Sequence, residues 1–350
     1  MNTIRSYYTE SPRWHEKIGG IHALLERVKM SEEQCGDVLR LRKINRIMSV
    51  HASTAIEGNT LTLEQVAAVI NGKPVLGPPK DIKEVQNAWR AYNELDNYNP
   101  WDVTSLLNAH ASMTDRLIGE SGQFRTVEVA VVRSDGAVMH SGSPATEVPG
   151  LVRRLLRAGE TSEAHPLINS SAVHYMIEHI HPFRDGNGRI GRLWQTLILA
   201  RWNPLFAWMP VETLVHHNQA GYYKALQESH ADGVDCRPFI DFMLSVIENS
   251  LYKYVDIATV QSGSGIPARG STNATENVGI NVGINVGIKA DIIAHLKRDS
   301  SLSASRLAAL LGITSRTVER HLKSFQDQGI IKRVGSRKTG RWEIANQDQP

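Results

Sequence analysis

Residues 181–192 read His-Pro-Phe-Arg-Asp-Gly-Asn-Gly-Arg-Ile-Gly-Arg, and no other stretch constrains the fold as much. The run can be read as a helix that ends at His181, a tight loop over Asp185-Gly186-Asn187-Gly188, and a second helix that starts within Gly188 to Arg192. Two glycines let backbone N–H groups converge without steric penalty. A helix N-terminus there carries partial positive charge and suits an anion. Arg189 and Arg192 stand three apart, on adjacent faces of that helix, and can fork onto phosphate oxygens. Asp185 suits Mg²⁺, which binds through few carboxylates plus phosphate oxygens. His181 is placed to act as a general base toward a hydroxyl, and Phe183 to anchor the loop in the core. These are the parts needed to hold a polyphosphate and activate a hydroxyl against it. Asp-Gly-Asn-Gly alone is a common turn and lacks the ligand spacing of a calcium loop. His174, His179, His181 and Glu178 have no recognised zinc spacing, and no cysteine lies near them. The complete string is far more specific than any fragment of it.

Helical periodicity dominates the first 250 residues. Leu41, Ile44, Ile47 and Met48 share one face of a helix, and Leu63, Val66, Ala67 and Ile70 share another. Thr62-Leu63-Glu64-Gln65 reads as a capping box. Pro166 opens a helix through Ile180, and a further helix covers Leu193 to Ala200. The clear β signal is Val127 to Val132, a turn at Arg133-Ser134-Asp135-Gly136, and Ala137 to Met139.

Composition changes after Val260, where Gly/Ser-rich stretches read as flexible linker. Asn-Val-Gly-Ile then occurs three times between Asn277 and Ile288, too short a series for a solenoid. It is read as linker, with a β-edge or self-association segment as the alternative. From Lys289 the tail reads as three helices and two strands, with the glycine of a helix-turn-helix at Gly312 and a cap at Ser315. This is the winged-helix order. Arg316, Arg320 and Lys323 on its third helix, and Lys332, Arg333, Arg337, Lys338 and Arg341 on the wing, form a face suited to a phosphate backbone. A protein-binding or dimerising winged helix is the alternative.

The string His-x-Phe-x-Asp-Gly-Asn-Gly-Arg-x-x-Arg resembles the motif of the Fic (Fido) family at every fixed position. Upstream, Gly122-Gln123-Phe124-Arg125 is similar to the family's lead into its flap, and the hairpin from Val127 to Met139 stands where the flap belongs. Downstream, Tyr222-Tyr223-Lys224-Ala225-Leu226 resembles the helix that borders the adenine pocket. The likeness covers most of residues 1–250. It implies a mainly α fold: a Fic-type helical core with a β-hairpin flap, followed by a winged helix-turn-helix. It also implies transfer of AMP from ATP to a Ser, Thr or Tyr hydroxyl of a protein, the chain itself included, with release of pyrophosphate. In that scheme His181 is the catalytic base, and Asp185 holds Mg²⁺. The nucleotide is bound by Asp185, Gly186, Asn187, Gly188, Arg189, Ile190, Gly191 and Arg192, with Val131, Val132, Arg133 and Ser134 of the flap and Tyr222. The flap docks the target backbone by strand addition.

Ser53-Thr54-Ala55-Ile56-Glu57-Gly58-Asn59 resembles the family's inhibitory motif. Ser53 and Glu57 lie on one helical face, and Gly58 can end the helix. The N-terminal position is similar to that of the class whose inhibitory helix precedes the core. The resemblance implies that Glu57 pairs with Arg192 and draws it from the γ-phosphate. The expected domains are a helical leader over 1–100 with the inhibitory helix at about 39–58, the catalytic core at 101–250, a linker at 251–288 and the winged helix at 289–345. Alternatives are a different nucleotide donor, AMP removal with Glu57 positioning water, or a transcriptional regulator whose Fic domain is a sensor.

The rest of the composition excludes classes rather than choosing among them. The net charge of +3 over 350 residues implies no globally basic nucleic-acid binder, so only local charge bears on DNA. Cys35 and Cys236 are far apart, which fits a reducing cytoplasm and no disulfide framework. The N-terminus lacks an apolar signal region, and no apolar run is long enough for a bilayer. A cytoplasmic protein is expected. Its partners would be ATP, a protein substrate and a DNA duplex at 289–345, with no membrane. The accessory helices and the tail suggest a homodimer.

Overall fold

The computed structural model describes residues 3–33, 38–132, 138–230 and 235–263, and in the tail 292, 295–296, 299–311, 318–319, 322–323, 325–326, 330–334 and 341–344. The chain divides into two compact units, residues 1–267 and 268–350.

The described part of the first unit is mainly helical: α1 (Arg13–Glu33), α2 (Val38–Ile56), α3 (Leu63–Ile70), α4 (Pro79–Asn93), α5 (Val103–Thr114), α6 (Val148–Glu160), α7 (Pro166–Ile180), α8 (Asn187–Trp202), α9 (Val211–His217), α10 (Gln219–Glu228) and α11 (Arg237–Gly263). Helices α7 and α8 pack on each other at the centre, and both are buried on nearly every face, polar side chains included, so those need partners inside: His174 Nδ1 meets Gln195 Oε1 at 2.6 Å, and Gln195 Nε2 donates to Ser171 Oγ at 3.0 Å. A Cβ on Gly191 would lie 2.5 Å from the His174 ring, so glycine sets how closely the two helices approach. The leader is part of the same unit. Helix α1 lies along α11, where the Trp14 indole donates to Asp241 Oδ1 at 2.6 Å and Lys17 Nζ bonds Ser245 Oγ.

Helix α2 carries a buried polar stripe at four-residue spacing, Asn45, Ser49 and Ser53. Ser49 Oγ donates to Glu212 Oε2 at 2.7 Å, and the Tyr92 and Thr196 hydroxyls donate to Glu212 Oε1 at 2.8 and 2.9 Å. A carboxylate is tolerated inside only when it is hydrogen-bonded. Here one carboxylate fastens α2, α4, α8 and α9 together. Gly58 follows α2 in the left-handed region at φ 90°. The capping box expected at Thr62 forms, with Gln65 N donating to Thr62 Oγ1 and Thr62 N to Gln65 Oε1.

Strands β1 (Ala130–Val132) and β2 (Val138–Ser141) form an antiparallel hairpin with Ala130 opposite Ser141. The strand begins at Ala130 rather than Val127, because Arg125 Nη1 takes the Val127 carbonyl at 2.8 Å. The Asp-Gly turn, with Arg133 and Ser134, lies outside the described residues. Helix α11 runs to Gly263, into the stretch read as linker from 251. Leu244, Ile247, Leu251, Tyr254 and Val255 are all buried and continue its apolar face past residue 250.

In the second unit, Ile292, Leu296, Leu302, Leu307, Val318, Leu322, Phe325, Ile331 and Trp342 form a core. A helix covers Ala304–Leu311, and β3 (Ile331–Val334) pairs antiparallel with β4 (Arg341–Ile344). Trp342 Nε1 donates to the Leu302 carbonyl at 3.1 Å, and this ties the wing to the helical part. The described elements keep the winged-helix order. The Asn-Val-Gly-Ile repeats, Gly312 to Arg316, Arg320, Arg337, Lys338 and Cys35 lie outside the described residues. Among the described residues, no helix is long and apolar enough to cross a membrane.

Candidate active site

Helix α7 stops at His181, which takes a left-handed conformation (φ 54°, ψ 61°). That region is costly for a residue with a Cβ, and Arg125 holds it. The Arg125 side chain is fully buried. Its Nε donates to the His181 carbonyl at 2.7 Å, and its Nη2 to Ile180 O at 3.3 Å and to Ser143 O. A cation thus covers the free carbonyls at a helix C-terminus. Gly142, at the foot of the hairpin, has room for no side chain between Arg125, Val129 and His181.

The loop after His181 is fastened from inside. Phe183 is completely buried and stacks on His110 at 3.7 Å. Asn187 Oδ1 accepts from Phe183 N, and Asn187 Nδ2 donates to Phe183 O. Burial pushes the His110 imidazole down to about 4, so it is neutral. Gly122 N donates to His110 Nδ1 at 3.0 Å, which leaves Nε2 to donate to the Asp185 carbonyl, also at 3.0 Å. Gly186 then opens α8 at φ 87°.

A groove of about 890 Å³ lies over this loop. Its lining includes His181, Asp185, Gly186, Asn187, Gly188 and Arg192 of the sequence motif, Glu57 and Gly58 from the end of α2, Glu178, and Tyr222 and Tyr223 from α10. Ile190, Gly191 and Arg189 are not on it. Ile190 is in the core, Gly191 faces His174, and the Arg189 guanidinium is buried between Asp185 and Glu84. Tyr222 borders the groove but is 1% exposed, with its hydroxyl 3.2 Å from both His174 Nε2 and Glu178 Oε1. Val131 and Val132 are backbone of β1.

Ser53 and Glu57 both reach Arg192. Glu57 Oε1 accepts from Arg192 Nη2 at 2.6 Å, Ser53 Oγ from Arg192 Nε at 3.2 Å, and Ser53 O from Nη2 at 3.1 Å. Arg192 Nη1 is buried without a hydrogen-bond partner. Burial works against the Arg192 charge, but Glu57, Tyr222 and Glu178 together outweigh it and raise the guanidinium above its ordinary value. Glu178, which motif reasoning did not single out as functional, stands on the other side of Arg192. Burial first, and then the Glu57 charge, lift its carboxyl to about 7, against the pull of Arg192 and the Tyr222 hydroxyl. A Cβ on Gly188 would fall among Glu57, Arg192 and Glu178, so glycine is needed there.

Asp185 is half exposed. Its Oδ1 accepts from Gly186 N at 2.6 Å and Arg189 Nη2 at 3.2 Å, and its Oδ2 has no donor among the described residues. No group of three or more His, Cys, Asp or Glu side chains suited to a metal ion occurs among the described residues. A single exposed carboxylate oxygen does fit Mg²⁺ carried in with phosphate oxygens.

Fold and groove together define a mainly helical domain whose groove lies at the start of a helix, with the acidic Glu57 set on its buried Arg192. The Fic/DOC family description matches residues 100–199, and a winged helix-turn-helix DNA-binding description matches residues 288–332. The crystal structure of a Fic family protein from Desulfovibrio desulfuricans G20 is 32% identical, with a TM-score of 0.68, over 98% of this chain and 99% of that one. A Fic domain containing signaling protein from Bacteroides thetaiotaomicron shares the fold at 21% identity and a TM-score of 0.59, over 72% of this chain and all of that one. Among curated proteins, the protein adenylyltransferase Fic of Culex quinquefasciatus is 27% identical over 252 residues, which is 69% of this chain and 46% of the relative. The chain spans a little under half the length of such relatives. The chain belongs to the Fic family.

Proposed function

We propose that the chain is an autoinhibited protein adenylyltransferase that uses ATP. The observation that carries this reading is Arg192, buried at the groove beside an intact motif and held by Glu57 and Ser53. His181 Nδ1 lies 3.3 Å from the Glu178 carbonyl. With Nδ1–H donated there, Nε2 is the basic nitrogen. It accepts the proton of a Ser, Thr or Tyr hydroxyl on the target. The hydroxyl oxygen bonds to the α-phosphorus, the bond from that phosphorus to the bridging oxygen breaks, and pyrophosphate leaves. The backbone N–H groups of Asn187 and Gly188 at the start of α8 would receive the phosphates. Asp185 Oδ2 would hold Mg²⁺, and that ion would supply neutralisation of phosphate charge. Arg192 takes the γ-phosphate only when it leaves Glu57, and Tyr222 supports the base side of the groove through Glu178. The β1 edge at Val131 and Val132 offers backbone for strand addition by the target. Relatives named protein adenylyltransferase support the reaction class. Parallel incubations with ATP labelled at the α- or the γ-phosphate test it. Protein-bound label from the α-position alone is expected, and label from the γ-position would replace this reading with phosphorylation.

A second activity is favoured by the matched DNA-binding description and by exposed Lys323, Lys332 and Arg341 on the tail. The full chain is expected to bind a random-sequence duplex with affinity falling steeply as salt rises. Absence of binding at low salt would remove the DNA reading.

A further inference from the structure

The arginine that does not face the groove is the origin of the inference. Arg189 is 3% exposed, and its Nε and Nη1 have no hydrogen-bond partner. Its charge has two partners among the described residues. One is Asp185 Oδ1, at 3.2 Å from Nη2; the other is Glu84 Oε1 of α4, at 3.6 Å from Nη1. Glu84 is itself buried. Its Oε2 accepts from Asn59 Nδ2 at 3.0 Å, and the exposed Lys80 stands 3.8 Å from its Oε1. Asn59 also donates to the Asp81 carbonyl at 3.0 Å and accepts from Leu61 N at 3.1 Å, so its side chain is fixed. Asn59 is two residues after Glu57. An unbroken series therefore runs from the end of the inhibitory helix through Asn59, Glu84 and Arg189 to Asp185.

We infer that Glu84 is a positioning residue: through Arg189 it sets the Asp185 carboxylate so that Oδ2 faces the groove, and through Asn59 it links that setting to the segment that carries Glu57. The inference rests on the adenylyltransferase reading, in which Asp185 Oδ2 receives Mg²⁺. Two carboxylates divide the charge of Arg189 between them. A buried guanidinium shared by two carboxylates takes only one oxygen of Asp185. With Glu84 neutralised, the whole of that charge turns to Asp185, whose second oxygen is drawn from the groove into a bidentate pair. Partners behind a metal ligand typically change metal affinity by 10–100-fold.

The test compares Glu57→Gly with Glu57→Gly/Glu84→Gln. Glutamine keeps an oxygen for Asn59 and loses only the charge. Mn²⁺ is titrated in the presence of α,β-methylene ATP and followed by electron paramagnetic resonance, with binding of the analogue in EDTA measured alongside. A rise of about tenfold or more in the Mn²⁺ concentration for half-saturation is expected, with metal-free nucleotide binding unchanged. Glu57→Gly/Asn59→Ala is expected to shift the Mn²⁺ requirement in the same direction. Equal Mn²⁺ requirement in all three proteins, even with a lower melting temperature in the variants, reduces Glu84 to a structural ion pair and overturns the inference alone. Failure of the Glu57→Gly protein to bind the analogue at any Mn²⁺ concentration overturns both the inference and the functional reading beneath it.

Discussion

Replacing Glu57 by glycine removes the carboxylate that, among the described residues, is bonded to the groove arginine, and the size of the effect follows from the contact. The Glu57 Oε1 to Arg192 Nη2 distance is 2.6 Å, with the arginine side chain 2% exposed and the glutamate 31% exposed. A hydrogen bond between charged groups contributes about 1.5–3 kcal/mol net, and the open side of Glu57 favours the lower part of that range. Each ~1.4 kcal/mol is a factor of ten in rate. The variant is therefore expected to label itself from ATP about ten to forty times faster than the wild type. Glu57→Gln, which keeps an acceptor without the charge, should fall between the two. Ser53→Ala removes one neutral acceptor 3.2 Å from Arg192 Nε and should release less, roughly fivefold for about 1 kcal/mol. Initial rates of label incorporation at saturating ATP measure all four proteins. Equal rates for wild type and Glu57→Gly, with equal nucleotide binding, would refute the reasoning, because the ion pair would then cost the reaction nothing.

Two further outcomes follow from groups around the same groove. Because burial and Glu57 raise the Glu178 carboxyl to about 7, the folded chain holds a proton that the unfolded chain releases between about pH 4.5 and 7, and stability falls as pH rises through that window. Glu178→Gln is expected to melt with the wild type at pH 5 and above it at pH 8; an equal offset at both pH values would contradict the assignment. Phe183→Ala opens a cavity beside His110 beneath the loop and should cost about 3–5 kcal/mol in denaturant unfolding, whereas a loss under about 1 kcal/mol would show that the loop is held without it.

What could be read from the sequence was whatever is contiguous in it. The run from His181 to Arg192 declares its helix–loop–helix because the glycines, the carboxylate and the arginines all lie within it. Ser53 and Glu57 declare themselves by four-residue spacing before a glycine. His110, Glu84 and Glu212 do not, since each acts across helices that only tertiary packing brings together, and Arg125, legible as part of a lead into the flap, did not disclose its hold on the His181 carbonyl. Glu84, within Lys80-Asp81-Ile82-Lys83-Glu84, looks like one charge on a solvated helix face, yet it is buried against Arg189. The pairing of Arg189 with Arg192 as phosphate ligands followed from their spacing. Residues three apart point roughly 60° apart around a helix, and here that angle is enough for α4 to capture one while the groove receives the other. Helix α11 outran its expected end because its apolar stripe continues while the composition is already turning polar.

Intact-protein mass spectrometry after incubation with ATP and Mg²⁺ tests the central claim most directly. The Glu57→Gly protein is predicted to gain the mass of adenosine monophosphate less water, and Glu57→Gly/His181→Ala to gain none. An unmodified Glu57→Gly protein, or an adduct that persists without His181, would contradict an adenylyltransferase held in check by Glu57 and driven by His181.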